Sequence, residues 1–252
     1  MLPAHAAALA APTDTPRADP STPTAAAPQA GPPTQPLTTT LTGPLTAPLA
    51  DPLAGARLED LPAHSRDWLT QFQQQWDRES GLWVFAYGSL MWNPGFAPAD
   101  TLVAKVRGYH RALRLRSLVN RGSADQPGLV MTLLSGGSCR GLVYRIPPER
   151  AQAELQRLWL REMVVGTYVP RWLPCFSNAG EHQALAFTLS RRSPGWVGEL
   201  DDERLIHILR HARGRYGTTL DYLERAVHCL REHGIHDRSL EHQLALARLH
   251  GL

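Results

Sequence analysis

The sequence predicts an α+β domain in which a mostly antiparallel sheet curls into a small barrel, with helices interspersed among the strands and trailing after them. Three observations lead there. Between Leu82 and Leu189 a series of short runs rich in β-branched and aromatic residues is punctuated by Gly, Ser and Pro. A single strongly amphipathic stretch, Pro148 to Met163, interrupts that series. Beyond residue 200 the spacing of apolar residues becomes helical to the end.

Residues 1–57 stand apart. They hold more than half of the 21 prolines, are dominated by Ala, Thr and Pro, and contain no Phe, Trp or Tyr, the first of which is Trp68. Such a segment cannot bury enough apolar surface to offset the entropy of ordering it, so it reads as a disordered leader, with 58–252 as the folded domain. Its opening apolar run is short, alanine-based and lacks a cationic start, which makes it a poor secretion signal. No stretch of about 20 apolar residues exists to span a membrane. A cytoplasmic protein is expected.

Within the domain, Trp68, Leu69, Phe72 and Trp76 give Ser65 to Ser80 one apolar helical face. Leu82 to Tyr87 is a continuous apolar run ended by Gly88–Ser89, as in a buried strand entering a tight turn. Further strands are expected at 102–106, 110–118, 128–134, 139–146, 168–176 and 183–189. Ser135–Gly136–Gly137 reads as the hairpin turn between Met131 and Tyr144. Pro147–Pro148 suit a helix start, and Gly166 a stop. Asp201 or Asp202 caps a helix to His211, Thr218 or Thr219 caps another ended by Gly234, and 239–250 forms the last.

Composition excludes several functions. Cys139, Cys175 and Cys229 are odd in number, widely spaced and without a CxxC pair or a His partner at recognisable spacing, so neither disulfides, zinc nor thiol catalysis is indicated. The net charge of +3 and the series Arg107, Arg111, Arg114, Arg116 invite a nucleic-acid reading. Every cationic Lys/Arg residue except Lys105 is arginine and acids intermingle with them, while no nucleic-acid motif accompanies them, so that reading is set aside. His228, His233 and His236 straddle Gly234 at offsets that do not put a ligand pair on one helix face.

Glu162 carries the chemistry. Leu155, Leu158, Trp159 and Glu162 fall at offsets of three, four and seven, so the carboxylate shares the apolar stripe. Burial disfavours its charged form and suits it to general base and acid work; the competing reading is a structural carboxylate paired with an Arg. Tyr87, Gly88, Ser89 and Leu90 form the second element. A glycine at a strand end lets successive amides converge on a carboxylate or oxyanion, although Gly–Ser turns also occur with no ligand at all. The pattern is not the G-x-S-x-G elbow, because Tyr87 precedes Gly88 and Leu90 follows Ser89.

Taken together, WVFAYGSLMWNPGF at 83–96 and LWLREMVVGTY at 158–168 resemble the ChaC-like gamma-glutamylcyclotransferases, in which a YGSL loop follows the first strand and R-E-x-x-x-G-x-Y holds the catalytic glutamate. The resemblance runs from residue 83 to about 233 and takes in Gly108–Tyr109, Asn120–Arg121–Gly122, Gln126–Pro127–Gly128 and Gly217–Thr218. It implies a gamma-glutamylcyclotransferase-like barrel and an intramolecular acyl transfer that releases 5-oxoproline, and from glutathione also Cys-Gly. Glu162 would then be the acid/base and the 87–90 loop the substrate cradle, with no metal and no cofactor. Arg121 is open to two readings, a fork for a substrate carboxylate or an exposed loop residue. Tyr168 and Tyr222 either line the pocket or are half-buried aromatics. The chain departs from the family pattern at Leu129, where an Arg is frequent, and at Thr167, where Gly or Cys is usual.

Overall fold

The computed structural model describes residues 55–252; residues 1–54, nearly all of the expected leader, lie outside them. A 3-10 turn at Leu58–Asp60 leads into α1 (Ala63–Gln75), which buries Ser65, Leu69 and Phe72. The helix is shorter than its apolar spacing suggests. Trp76 is already extended, and its indole N–H donates to the Gly81 carbonyl at 2.6 Å, so the chain turns there into the sheet.

Five strands close a barrel in the order β1-β3-β2-β4-β5: β1 (Leu82–Ala86), β2 (Asp100–Ser117), β3 (Gly128–Ile146), β4 (Val169–Ser177) and β5 (Gly180–Thr188). All pairings are antiparallel except β1 with β5, where Val84 lies opposite Leu185 and closes the cylinder. Closure leaves the barrel no free edge. α2 (Pro148–Glu162) crosses from β3 to β4, and α3 (Asp202–His211), α4 (Thr219–Glu232) and α5 (Arg238–Leu249) follow, with the two-residue strands β6 (Arg213–Gly214) and β7 (Gly217–Thr218) pairing between α3 and α4.

The expected hairpin at 135–137 is not formed. The four strands expected at 102–106, 110–118, 128–134 and 139–146 are two, β2 and β3, paired to each other from Asp100↔Arg145 to Ser117↔Gly128. Gly108, Gly136 and Gly137 all have positive φ and face each other across the ladder, where the register shifts between Arg107 and Tyr109. They make a bulge that bends a long ribbon, rather than ending its strands. Met131 therefore pairs with Leu113, and Tyr144 with Thr101 and Val84.

The caps follow the side-chain chemistry. Asp201 accepts from the Arg204 N–H, and Thr218 with Asp221 forms a reciprocal capping box at α4. α2 ends at Glu162, and Gly166 closes the next turn through its N–H to the Met163 carbonyl at 3.0 Å. Two bonds fix that end of α2 against α1: Trp159 Nε1 donates to Ser65 O at 2.7 Å and Ser65 Oγ to Met163 O at 3.3 Å. Trp159 is fully buried against Phe72 and Phe187, so truncation to Ala is of the kind that costs about 3–5 kcal/mol. The position of Glu162 is thus set by the core.

Candidate active site

β1 delivers Tyr87 to the mouth of the barrel, and the next residues turn into a 3-10 helix, Ser89–Met91. Most polar fastenings of this loop are carbonyls or hydroxyls, although the Ser89 N–H also meets the Tyr222 hydroxyl. Tyr87 Oη donates to Phe187 O at 2.6 Å, Tyr144 Oη donates to Met91 O at 2.9 Å, and the Tyr87 carbonyl accepts from Arg111 Nε at 2.5 Å. A helical turn leaves the N–H groups at its start without partners inside the turn. With the Tyr87 and Met91 carbonyls held by Arg111 and Tyr144, the start of the turn is left to present its amides beside the Tyr222 hydroxyl.

Gly88 is where close approach matters. A Cβ there would lie 3.0 Å from Tyr222 Oη and 3.2 Å from Met131 Cβ. Met131 gathers the site: its N–H donates to Tyr222 Oη at 3.3 Å and its carbonyl accepts from Tyr168 Oη at 3.2 Å. Gly88, Tyr168 and Tyr222 therefore converge on one residue of β3. Since the Tyr222 oxygen serves as an acceptor, its proton is available to a ligand.

Glu162 sits on the last turn of α2 with its side chain 15% exposed. Burial pushes its pKa up, and the neighbouring Arg161 charge and hydrogen bond only partly offset this. Burial also raises the Tyr87 and Tyr168 hydroxyls well above the ordinary range and the Tyr222 hydroxyl to about 12, and the Glu162 charge adds to the rise at all three. The site accordingly holds one carboxyl of raised proton affinity among phenols that keep their protons near neutral pH.

Arg161 joins the two elements. Its Nε pairs with Glu162 Oε1 at 3.0 Å, NH2 donates to Ser89 Oγ at 3.2 Å and NH1 to Asn93 O at 2.7 Å. One guanidinium fork spans the acid and the loop.

Of the residues singled out in the sequence, Tyr87, Gly88, Ser89, Glu162 and Tyr168 are connected through these contacts, and Leu90 anchors the loop with its buried side chain. Arg121 is not an exposed loop residue. It is 8% exposed, donates to Tyr216 O and lies 5.1 Å from the centre of the Tyr222 ring, so it meets the cradle through Tyr222. Tyr222, left open in the sequence between pocket lining and a half-buried aromatic, lies on a second buried stripe of α4 with Ala226 and Cys229. Two participants were not read as site residues from the sequence. Arg161 is legible only as the neighbour of Glu162. Arg111, dismissed with the arginine series, is 6% exposed and paired with Asp237 at 2.7 Å. Among the described residues no group of three His, Cys, Asp or Glu is arranged to hold a metal, and no helix is long and apolar enough to cross a membrane.

Known proteins match this framework. The family model described as "ChaC-like protein" matches residues 82–249. The chain is 36% identical over 146 residues to the glutathione-specific gamma-glutamylcyclotransferase of Escherichia coli, an alignment covering 58% of this chain and 63% of that protein. It is 34% identical over 160 residues to the human glutathione-specific gamma-glutamylcyclotransferase 1, covering 62% and 72%. The chain thus spans less than two thirds of the length of the bacterial relative. In fold it is similar to the crystal structure of a yeast gamma-glutamyl cyclotransferase specific to glutathione, with a TM-score of 0.60 over 68% of this chain and 96% of that one at 22% identity.

Proposed function

The chain belongs to the ChaC-like family, and from that premise we propose that its 58–252 domain is a cytoplasmic gamma-glutamylcyclotransferase acting on glutathione. The observation that carries the reading is the Arg161 bridge, which holds a partly desolvated Glu162 carboxylate beside the Ser89 turn. In the reaction the α-ammonium of the γ-glutamyl group first gives a proton to Glu162. The freed amine attacks the γ-carbonyl carbon of its own molecule, and amides of the 88–90 loop support the oxyanion. As the intermediate collapses, the C–N bond to cysteine breaks and Glu162 returns its proton to the leaving nitrogen; the ring nitrogen gives up its second proton to the same carboxylate, and Cys-Gly leaves as the ammonium. The products are 5-oxoproline and Cys-Gly.

Water is not a reactant, and nucleophile and electrophile belong to one molecule. The protein's chief task is to hold the curled conformer. The cramped corner formed by Gly88, Met131 and Tyr222 favours a slim γ-glutamyl arm over a bulkier acyl group. Incubating the pure protein with glutathione, γ-Glu-Ala and γ-glutamyl-lysine and measuring 5-oxoproline from each tests the assignment. Glutathione is expected to react fastest. Faster release from either of the other two would transfer the assignment to that substrate, and release from none would leave a binding module.

A further inference from the structure

A cleft of about 480 Å³ opens on the outside of the barrel between the bent β2–β3 ribbon and the α4–α5 turn, and the catalytic reading makes no use of it. Five cationic side chains line it against two carboxylates. Two of the five are paired: Arg111 with Asp237 at 2.7 Å, and Arg114 with the largely exposed Glu199 at 3.5 Å. Lys105, Arg140 and Arg238 have no ion-pair partner among the described residues. They come from three elements, β2, β3 and the first turn of α5, so their shared facing is a product of the fold.

The cleft has a second unsatisfied group of opposite demand. Gln243, only 7% exposed, lines it, and its buried Oε1 has no hydrogen-bond partner. A buried acceptor left in that state costs about 1–3 kcal/mol. The deficit calls for a donor. The volume suits a small molecule, and a surplus of unpaired cations in a concave site focuses positive potential that attracts an anionic ligand.

We propose that this cleft binds a small polyanion that also carries a hydroxyl or N–H, its charges met by Lys105, Arg140 and Arg238 and its donor by Gln243. The class covers hydroxylated polycarboxylates and sugar bisphosphates. At its floor Arg111 faces the cleft with one edge and holds the Tyr87 carbonyl with Nε, so a bound ligand lies directly behind the loop.

Calorimetric titration of the full chain at about 0.15 M ionic strength tests this, with citrate, tricarballylate (citrate without its hydroxyl) and fructose 1,6-bisphosphate as probes. Saturable binding of citrate or the bisphosphate is expected at a Kd below about 1 mM, and which one binds tells carboxylate from phosphate. The double variant Lys105→Glu/Arg238→Glu should weaken it at least about tenfold while leaving ligand-free glutathione turnover unchanged. Gln243→Leu should weaken citrate about threefold or more and leave tricarballylate alone. No saturation by either citrate or the bisphosphate up to about 5 mM, or an affinity within about twofold of wild type in the charge-reversed variant, overturns the proposal.

Discussion

Replacing Glu162 by Gln separates the two readings that its position allows, because they predict opposite changes in stability. The amide keeps the shape and an acceptor for Arg161 but cannot take a proton. General acid–base catalysis is worth about 10²–10⁴ in rate, so kcat is expected to fall by that factor, equivalent to about 3–5 kcal/mol of barrier. The fold should respond differently. Burial lifts the Glu162 pKa, and Arg161 does not fully cancel it. A carboxyl whose folded pKa lies above its unfolded one favours the fold while protonated, and that advantage is lost as pH climbs through the unfolded and then the folded value. Above the unfolded value the buried carboxyl therefore costs stability, and the neutral amide removes the cost.

The variant should accordingly melt no lower than wild type at pH 7, and higher by up to a few degrees, since a domain of this size moves about 2–4 °C per kcal/mol. The difference should vanish at about pH 3, where both states of the wild type are largely protonated. Thermal melts at the two pH values, beside 5-oxoproline release from glutathione, give the full comparison. Turnover within about tenfold of wild type would remove Glu162 from proton transfer. A clear drop in Tm at neutral pH would identify it as the structural partner of Arg161 instead.

Removing Arg161 as Arg161→Met frees Ser89 and Asn93 and takes away the cation beside Glu162; kcat/KM should fall about tenfold or more, and the acid limb of its pH profile should move to higher pH because the carboxylate loses the charge that lowers its pKa. Gly88→Ala puts a methyl 3.0 Å from Tyr222 Oη and 3.2 Å from Met131 Cβ; steady-state kinetics should show a loss of about tenfold in kcat/KM with the circular dichroism spectrum unchanged. Arg111→Met strands the carbonyls of Tyr87 and Arg140 and leaves Asp237 without its cation; urea unfolding should show a loss of about 3–5 kcal/mol.

What the sequence made legible and what it hid divide along the range of the interaction. Local patterns were enough for the helix with Leu155, Leu158, Trp159 and Glu162 on one face, for narrowing the caps to Asp201 or Asp202 and to Thr218 or Thr219, and for the strand that ends at Ala86, just before Tyr87. They failed at the β2–β3 ribbon. Gly108 and Gly136–Gly137 each look like a break when read along the chain, and only their pairing across the ladder makes them a bulge. Arg111 failed in the same way. On a strand of alternating residues it shares a buried face with Leu113, yet a buried guanidinium is tolerable only with a counter-charge, and Asp237 lies 126 residues further on.

That distant pairing explains why the trailing helices belong to the same structural unit as the candidate site. α5 contributes Asp237, whose Oδ1 caps the helix at Leu240 while Oδ2 holds Arg111. Arg111 in turn holds the Tyr87 carbonyl and so aims the loop from behind, while Arg161 ties the same loop from the front to the acid. α4 adds Tyr222, which Arg121 backs with its guanidinium. The Glu162 carboxyl and the 88–90 loop thus have fixed relative positions only when the barrel, α2, α4 and α5 are all in place. A truncation before Asp237 should abolish turnover even though every motif between residues 83 and 168 remains, and retention of activity by such a fragment would show that the loop holds its shape without support from α5.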